Sequence, residues 1–225
     1  MTTGTMNDYN TTALRFFSFC AKIKDMKIMK ITKSNTQLLV KKVSKVIRNN
    51  RVVILPFDTV YGYACNPKSD ETLGKIFELK ERNINKTIGA AVCGIETLEQ
   101  FSEINETVKQ FIEEKTPGKY TFIVKAKLDH TLSKYCIKDD TIGIRIPESD
   151  FILDIIRSSG GIVAQTSANK SGMPDCYSIN ELLTQYSKDE LERVDLIIDG
   201  GELEKSGLSQ IFDLTGSEPA EIERK

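Results

Sequence analysis

From Ile28 onward the apolar residues switch repeatedly between two periods, and no other feature constrains the fold of this chain as tightly. Val52-Val53-Ile54-Leu55 is a continuous apolar run and Tyr120 to Ala126 an alternating one, whereas Leu39, Val43, Val46 and Ile47, or Leu73, Ile76 and Phe77, recur at helical spacing. Continuous runs read as strands buried on both faces, and strands that alternate with helices predict an α/β layer fold with a large, open, twisted mixed sheet. The pattern predicts helices near 35–48, 69–82, 105–115, 149–158 and 178–187, and strands near 51–56, 87–93, 120–126, 141–146, 161–165, 194–199 and 208–214. Ser34 or Asn35 can cap the first helix, and Ser178 with Glu181 forms a capping box at the last.

A length of 225 residues suits one domain, and 31 Lys plus Arg against 32 Asp plus Glu rule out a generally basic nucleic-acid coat. Charge is uneven, however: residues 1–50 hold eight Lys and two Arg against Asp8 and Asp25. Residues 1–25 lack periodicity apart from a short Phe16, Phe17, Phe19 cluster and read as a disordered or over-extended start, with the domain occupying 26–225. No apolar run approaches a membrane span of ~18 residues, so a soluble chain is expected. One His and five Cys (Cys20, Cys65, Cys93, Cys136, Cys176), none in a C-x-x-C pair, give no zinc or disulfide framework and make a reduced cytoplasmic setting the default.

Three segments can carry chemistry. Period 2 puts Ile142, Ile144 and Ile146 on one face of the 141–146 strand and Thr141, Gly143 and Arg145 on the other. A glycine gap between a hydroxyl and a guanidinium lets a flat or charged group lie against the backbone, although an Arg paired to a neighbouring acid fits the pattern equally well. Thr166-Ser167-Ala168-Asn169-Lys170-Ser171-Gly172 follows a buried strand, where small hydroxyl residues and backbone N–H groups make a phosphate cradle or a plain polar turn. Lys80 and Arg82 close a helix, where cations also suit the helix dipole. His130 lies in a polar loop and has no triad partners, so separated cations and hydroxyls, rather than a covalent nucleophile, define the chemistry.

Taken in chain order, Pro56-Phe-Asp-Thr-Val-Tyr-Gly62, Lys80-Glu-Arg82, Pro117-Gly118, Thr141-Ile-Gly-Ile-Arg-Ile-Pro147, Ser167-Ala-Asn-Lys-Ser-Gly172, Asp199-Gly-Gly201 and Ser209 resemble the YrdC-type threonylcarbamoyl-AMP synthase family in its short, single-domain form. The resemblance implies an open sheet around a basic cavity and a reaction in which L-threonine, bicarbonate and ATP, with Mg2+, give threonylcarbamoyl-AMP and pyrophosphate. That product feeds threonylcarbamoyladenosine modification of tRNA beside the anticodon, through a downstream threonylcarbamoyl transferase complex. By resemblance, Lys80, Arg82 and Arg145 are the catalytic residues. Thr59, Arg145 and Ser209 hold L-threonine, and Arg82, Lys86, Thr141, Ser167 and Asn169 meet ATP; Asp58 and Tyr61 shape the cavity wall, and no dedicated metal ligand is implied. Phe57, Asn83, Thr166 and Gln210 depart from the family pattern. Two other readings share this fold: a non-catalytic double-stranded RNA or tRNA-binding module, using Lys80, Arg82, Lys86, Lys119, Arg145 and Lys170, and the carbamoyl-transfer domain of hydrogenase maturation proteins, which carries zinc-finger Cys pairs that this chain lacks.

Overall fold

In the computed structural model, which describes residues 27–127, 131–205 and 207–223, strands and helices alternate along most of the chain. The expectations for residues 1–25, Cys20 and His130 lie outside the described residues. In order the elements are β1 (Ile28–Lys30), α1 (Thr36–Arg48), β2 (Val53–Pro56), β3 (Tyr61–Cys65), α2 (Asp70–Leu79), β4 (Gly89–Val92), α3 (Ile95–Phe101), β5 (Ser102–Glu103), α4 (Glu106–Glu113), β6 (Tyr120–Ala126), β7 (Thr141–Arg145), α5 (Asp150–Ser158), β8 (Ile162–Ser167), α6 (Ile179–Gln185), α7 (Lys188–Glu192), β9 (Leu196–Asp199), β10 (Gln210–Asp213) and β11 (Ala220–Ile222). The strands form one mixed sheet ordered β1-β9-β2-β3-β8-β4-β7-β6-β10-β11, with β5 paired to β6.

Alternation along each strand divides the sheet into two faces. Ile54, Tyr63, Ala164, Ala90, Ile144 and Phe122 point to one face, into the larger core. Val53, Leu55, Ala64, Val163, Ala91, Leu196 and Ile198 point to the other, where Leu39, Val43 and Ile47 of α1 and Ile152, Ile155 and Ile156 of α5 cover them. These two helices pack on each other, and the cations Lys41, Lys42, Lys45 and Arg48 stay on the exposed side of α1. Register carries the helix-covered face onward: Ala91 pairs with Arg145 and with Val163, Gly89 with Gln165, Gly143 with Ile123, and Thr121 with Ile211. On that continuing half of the face the residues are Gly89, Gly143, Arg145, Gln165, Thr121 and Ile123, and they line a cavity instead of receiving a helix.

Phe57 belongs to the helix-covered core at 2 % exposure, and a Cβ on Gly62 would come within 2.9 Å of its ring. The departure from the family pattern at Phe57 is thus a packing pair with Gly62. A Cβ on Gly200 would likewise meet Pro56 at 2.8 Å, and Gly201 adopts φ +82°. Tyr61 spans that turn, accepting from Gly200 N at 2.9 Å and donating to Gly201 O at 2.8 Å, while burial pushes its phenol up to about 12. Asp199-Gly200-Gly201 is therefore a close-packed turn.

Several element ends differ from expectation. Asn35 occupies the N-cap of α1 but makes no cap bond, because its Oδ1 accepts from Thr32 N instead. Ser178 caps Glu181 N, but the Glu181 carboxylate accepts from Tyr177 N; the complete capping box is at Ser187 and Glu190, opening α7, which the single 178–187 helix did not anticipate. The strand expected to end at Gln165 runs to Ser167, so Thr166 and Ser167 lie in β8 and not in the loop beyond it. The helix expected to run to Arg82 stops at Leu79, leaving Lys80 as its C-cap and Arg82 in the following turn. β3, α3, β5 and β11 are short elements without a clear period of their own.

Candidate active site

The cavity encloses about 470 Å³, within the ~300–1,000 Å³ usual for small-molecule sites. Gly89 and Gly143 form its floor, where a Cβ on Gly89 would stand 3.0 Å from Gly143 O, so the backbone itself faces the ligand space. The two ends of the cavity differ in chemistry.

At one end sits Arg145, 4 % exposed, on β7. Its Nη2 donates to both Asp58 carboxylate oxygens at 2.8 and 2.7 Å, and its Nη1 donates to Thr59 Oγ1 at 3.3 Å. Asp58 is itself held by Glu148 N at 3.0 Å and does not line the cavity, so it grips the guanidinium from outside. A buried pair of this kind gains little net stability over apolar residues, but removing one partner strands a buried charge. Thr121 Oγ1 and Ser209 Oγ, 2.9 Å apart, complete this end from β6 and the segment before β10. Of the sequence alternatives for Arg145, pairing with an acid is present, and the paired side chain also lines the cavity.

At the other end Arg82, Thr87, Lys138, Asp139, Thr141 and Ser167 line the wall. Arg82 Nη2 donates to Thr87 O at 2.6 Å; its Nε is buried with no hydrogen-bond partner among the described residues. A guanidinium incompletely satisfied by the protein is the condition expected of a group that a ligand completes. Burial lowers its pKa from the ordinary arginine value. Thr141 Oγ1 donates to Lys138 O at 2.7 Å across a two-residue turn in which Asp139 and Asp140 both have positive φ, 49° and 56°. Such a turn joins strands with their native twist, and it fixes Lys138 at the cavity edge.

Lys80, Lys86 and Asn169 are placed elsewhere. Lys80 is 2 % exposed, behind the wall, and its Nζ donates to Ser167 O, to Asn169 O at 2.7 Å and to Asn169 Oδ1 at 3.1 Å. Three acceptors engage all three ammonium protons, while burial, reinforced by nearby Arg82, pulls the pKa down to about 7. Asn169 receives Ser167 Oγ on its Oδ1 at 2.6 Å and donates from Nδ2 to Met173 O at 2.6 Å. Lys80 and Asn169 therefore contact Ser167 and do not themselves line the cavity. Lys86 is exposed on the 83–87 segment outside the lining, and Tyr61 is buried in its turn clamp. Sequence reading missed Thr87, Thr121, Lys138 and Gln165. Counting back by two from Ser167 along β8 would have found Gln165.

Comparison with known proteins agrees with this fold. A family model named for Sua5, YciO and YrdC and described as telomere recombination matches residues 45–225. The threonylcarbamoyl-AMP synthase of Bacillus subtilis (strain 168) is 31 % identical over 158 residues, covering 69 % of this chain and 44 % of that protein. The protein of the same name from Enterobacter sp. (strain 638) is 28 % identical over 144 residues, 63 % of this chain and 75 % of its own. The crystal structure of P. abyssi Sua5 complexed with L-threonine superposes with a TM-score of 0.78 at 26 % identity, covering 86 % of this chain and 56 % of that one. With the match spanning most of its length and the fold shared with a solved member, the chain belongs to the Sua5/YciO/YrdC family.

Proposed function

We propose that the protein is an L-threonylcarbamoyladenylate synthase, a nucleotidyltransferase that joins L-threonine, bicarbonate and ATP into threonylcarbamoyl-AMP and pyrophosphate. The observation that carries this reading is the division of one cavity into two ends, Arg145 with Thr59, Thr121 and Ser209 at one and Arg82 with Thr141 and Ser167 at the other, across a glycine floor. The first end suits the carboxylate and hydroxyl of a small amino acid; the second suits a nucleotide's phosphates. Curated relatives bear the name of this enzyme, and the Sua5 structure was obtained with L-threonine.

The chemistry fits these groups. The threonine amine and bicarbonate form a carbamate with loss of water, and a carbamate oxygen attacks the α-phosphorus as the bond to pyrophosphate breaks. That oxygen is already anionic, so no histidine base or covalent nucleophile is required. The protein aligns two anions over Gly89 and Gly143 and neutralises the departing charge with Arg82 and Lys138. Mg2+ enters with ATP as part of the nucleotide substrate. The product then serves modification of tRNA adenosine beside the anticodon in the cytoplasm, by way of a separate transferase. Among the described residues no helix is long and apolar enough to cross a membrane. The RNA-module reading loses two of its six cations: Lys80 is buried against three acceptors, and Lys170 is paired with Glu81 and Glu190.

The test is pyrophosphate release from ATP with threonine and bicarbonate each present or omitted. Release that requires both supports the synthase; release indifferent to either overturns it.

A further inference from the structure

Glu81, between Lys80 and Arg82, adopts φ 49° as the residue after the α2 C-cap, where Glu81 N donates to Glu78 O at 3.0 Å and Arg82 N to Phe77 O at 2.9 Å in a Schellman-type helix end. A further contact to this turn comes from 89 residues further along the chain. Lys170 Nζ lies 2.8 Å from Glu81 Oε1 and 2.7 Å from Glu190 Oε1.

The anchor side of this bridge is rigid. Glu190 Oε2 accepts from Ser187 N at 2.7 Å and Ser187 Oγ at 2.8 Å within the capping box of α7. Lys170 N donates to Gln185 Oε1 at 3.1 Å, and its ammonium stands 5.7 Å from the centre of the Tyr186 ring. The two carboxylates hold the Lys170 ammonium well above the usual lysine range, and contact with Lys170 first, then Ser187, draws Glu190 down to about 2. The opposite side is the turn itself: Ser171 N donates to Lys80 O at 2.8 Å, so the 80–82 turn and the loop carrying Lys170 are joined next to Arg82 and Ser167. An isolated exposed ion pair contributes little, but one ammonium shared by two carboxylates, one of them locked in a helix cap, forms a network.

Resting on the synthase reading above, we infer that Lys170 is a positioning residue for the nucleotide end of the cavity: through Glu81 it fixes the turn that aims Arg82, with Glu190 as its anchor. It touches no reacting atom and acts only through Arg82 and Ser167.

The experiment uses the full chain and the variants Lys170→Met, Lys170→Arg and Glu81→Gln. In pyrophosphate release, Lys170→Met and Glu81→Gln should raise the KM for ATP by about two- to fivefold, the range an exposed ion pair can supply, while the KM for threonine and the thermal midpoint hold. Lys170→Arg should restore most of the ATP KM. Hydrogen exchange at the Arg82 and Ser171 amides should quicken in Lys170→Met, a readout that needs no turnover. An unchanged ATP KM in Lys170→Met, unchanged exchange at both amides, or equal loss in Lys170→Arg would each overturn the brace. Wild-type protein without threonine- and bicarbonate-dependent release would instead overturn the synthase reading, and the exchange measurement would still decide the brace.

Discussion

One face of the sheet is used in two ways. Over β9, β2 and β3 it presents Val53, Leu55, Ala64, Leu196 and Ile198 to α1 and α5, and over β7 and β6 it presents Gly143, Arg145, Thr121 and Ile123 to a cavity. The strands run in one sheet and most residues of the opposite face pack into the larger core, so strand pairing does not distinguish the halves. What differs is the residue at each cavity-facing position. Where Val or Leu stands, the free energy of burial demands a helix; where Gly, Thr or Arg stands, no helix can be held and the groove stays open. Folding free energy is concentrated in the covered half and ligand chemistry in the open one.

Arg145 is where this separation is weakest, because the same side chain lines the cavity and neutralises buried Asp58. Arg145→Ala should abolish threonine-dependent turnover and also remove about 3–5 kcal/mol of stability, by leaving Asp58 uncompensated. Adding Asp58→Asn should recover part of the stability and none of the turnover; full recovery of both would mean that the pair is only structural. Denaturant melts and pyrophosphate release on the same samples give the answer.

Ile155→Ala tests the covered half. The side chain projects from α5 and is fully buried, so about 2–5 kcal/mol should be lost, while the KM values of the folded fraction remain those of the wild type. A large KM change would show that the helices shape the cavity.

Arg82→Ala is the converse. Losing a charge-assisted contact of ~1.5–3 kcal/mol should raise the ATP KM by roughly ten- to hundredfold with little change in melting. Lys86→Ala, on an exposed segment outside the lining, should change the ATP KM far less. Equal effects, measured by calorimetry, would put Lys86 at the ligand.

A pH dependence is expected at Lys80. Its folded pKa is lowered from 10.5 to about 7, so between those values the unfolded chain binds the proton that the folded chain sheds. Stability should therefore rise with pH across that window, and the slope should vanish in Lys80→Met. A flat wild-type profile would show that the three oxygen acceptors keep the ammonium charged.

Much of this was legible from local pattern. The opposed faces of β7 follow from period 2, and the alternation of periods gives the layer class. The departures come from contacts distant in sequence. Lys80 reads as a helix-end cation, and nothing within ten residues announces that Asn169 will swallow its ammonium. Asp58 reads as wall because its partner is 87 positions away. Lys138 was missed although Asp139-Asp140 is a plausible tight turn, since the cavity edge it defines exists only once β6 and β7 pair. Ser167 shifted from loop to strand because β3 supplies a partner as far as Gly62.

β6 has Phe122 and Val124 on the core side and Thr121 and Ile123 on the cavity side, in register with Ile144 and Gly143 of β7. Substitutions can therefore alter either set alone, whereas an insertion or deletion of a single residue within β6 exchanges the two sets at once. Within this strand, lineages are free to change residues on the ligand side independently of the fold, but its length is fixed by both demands together.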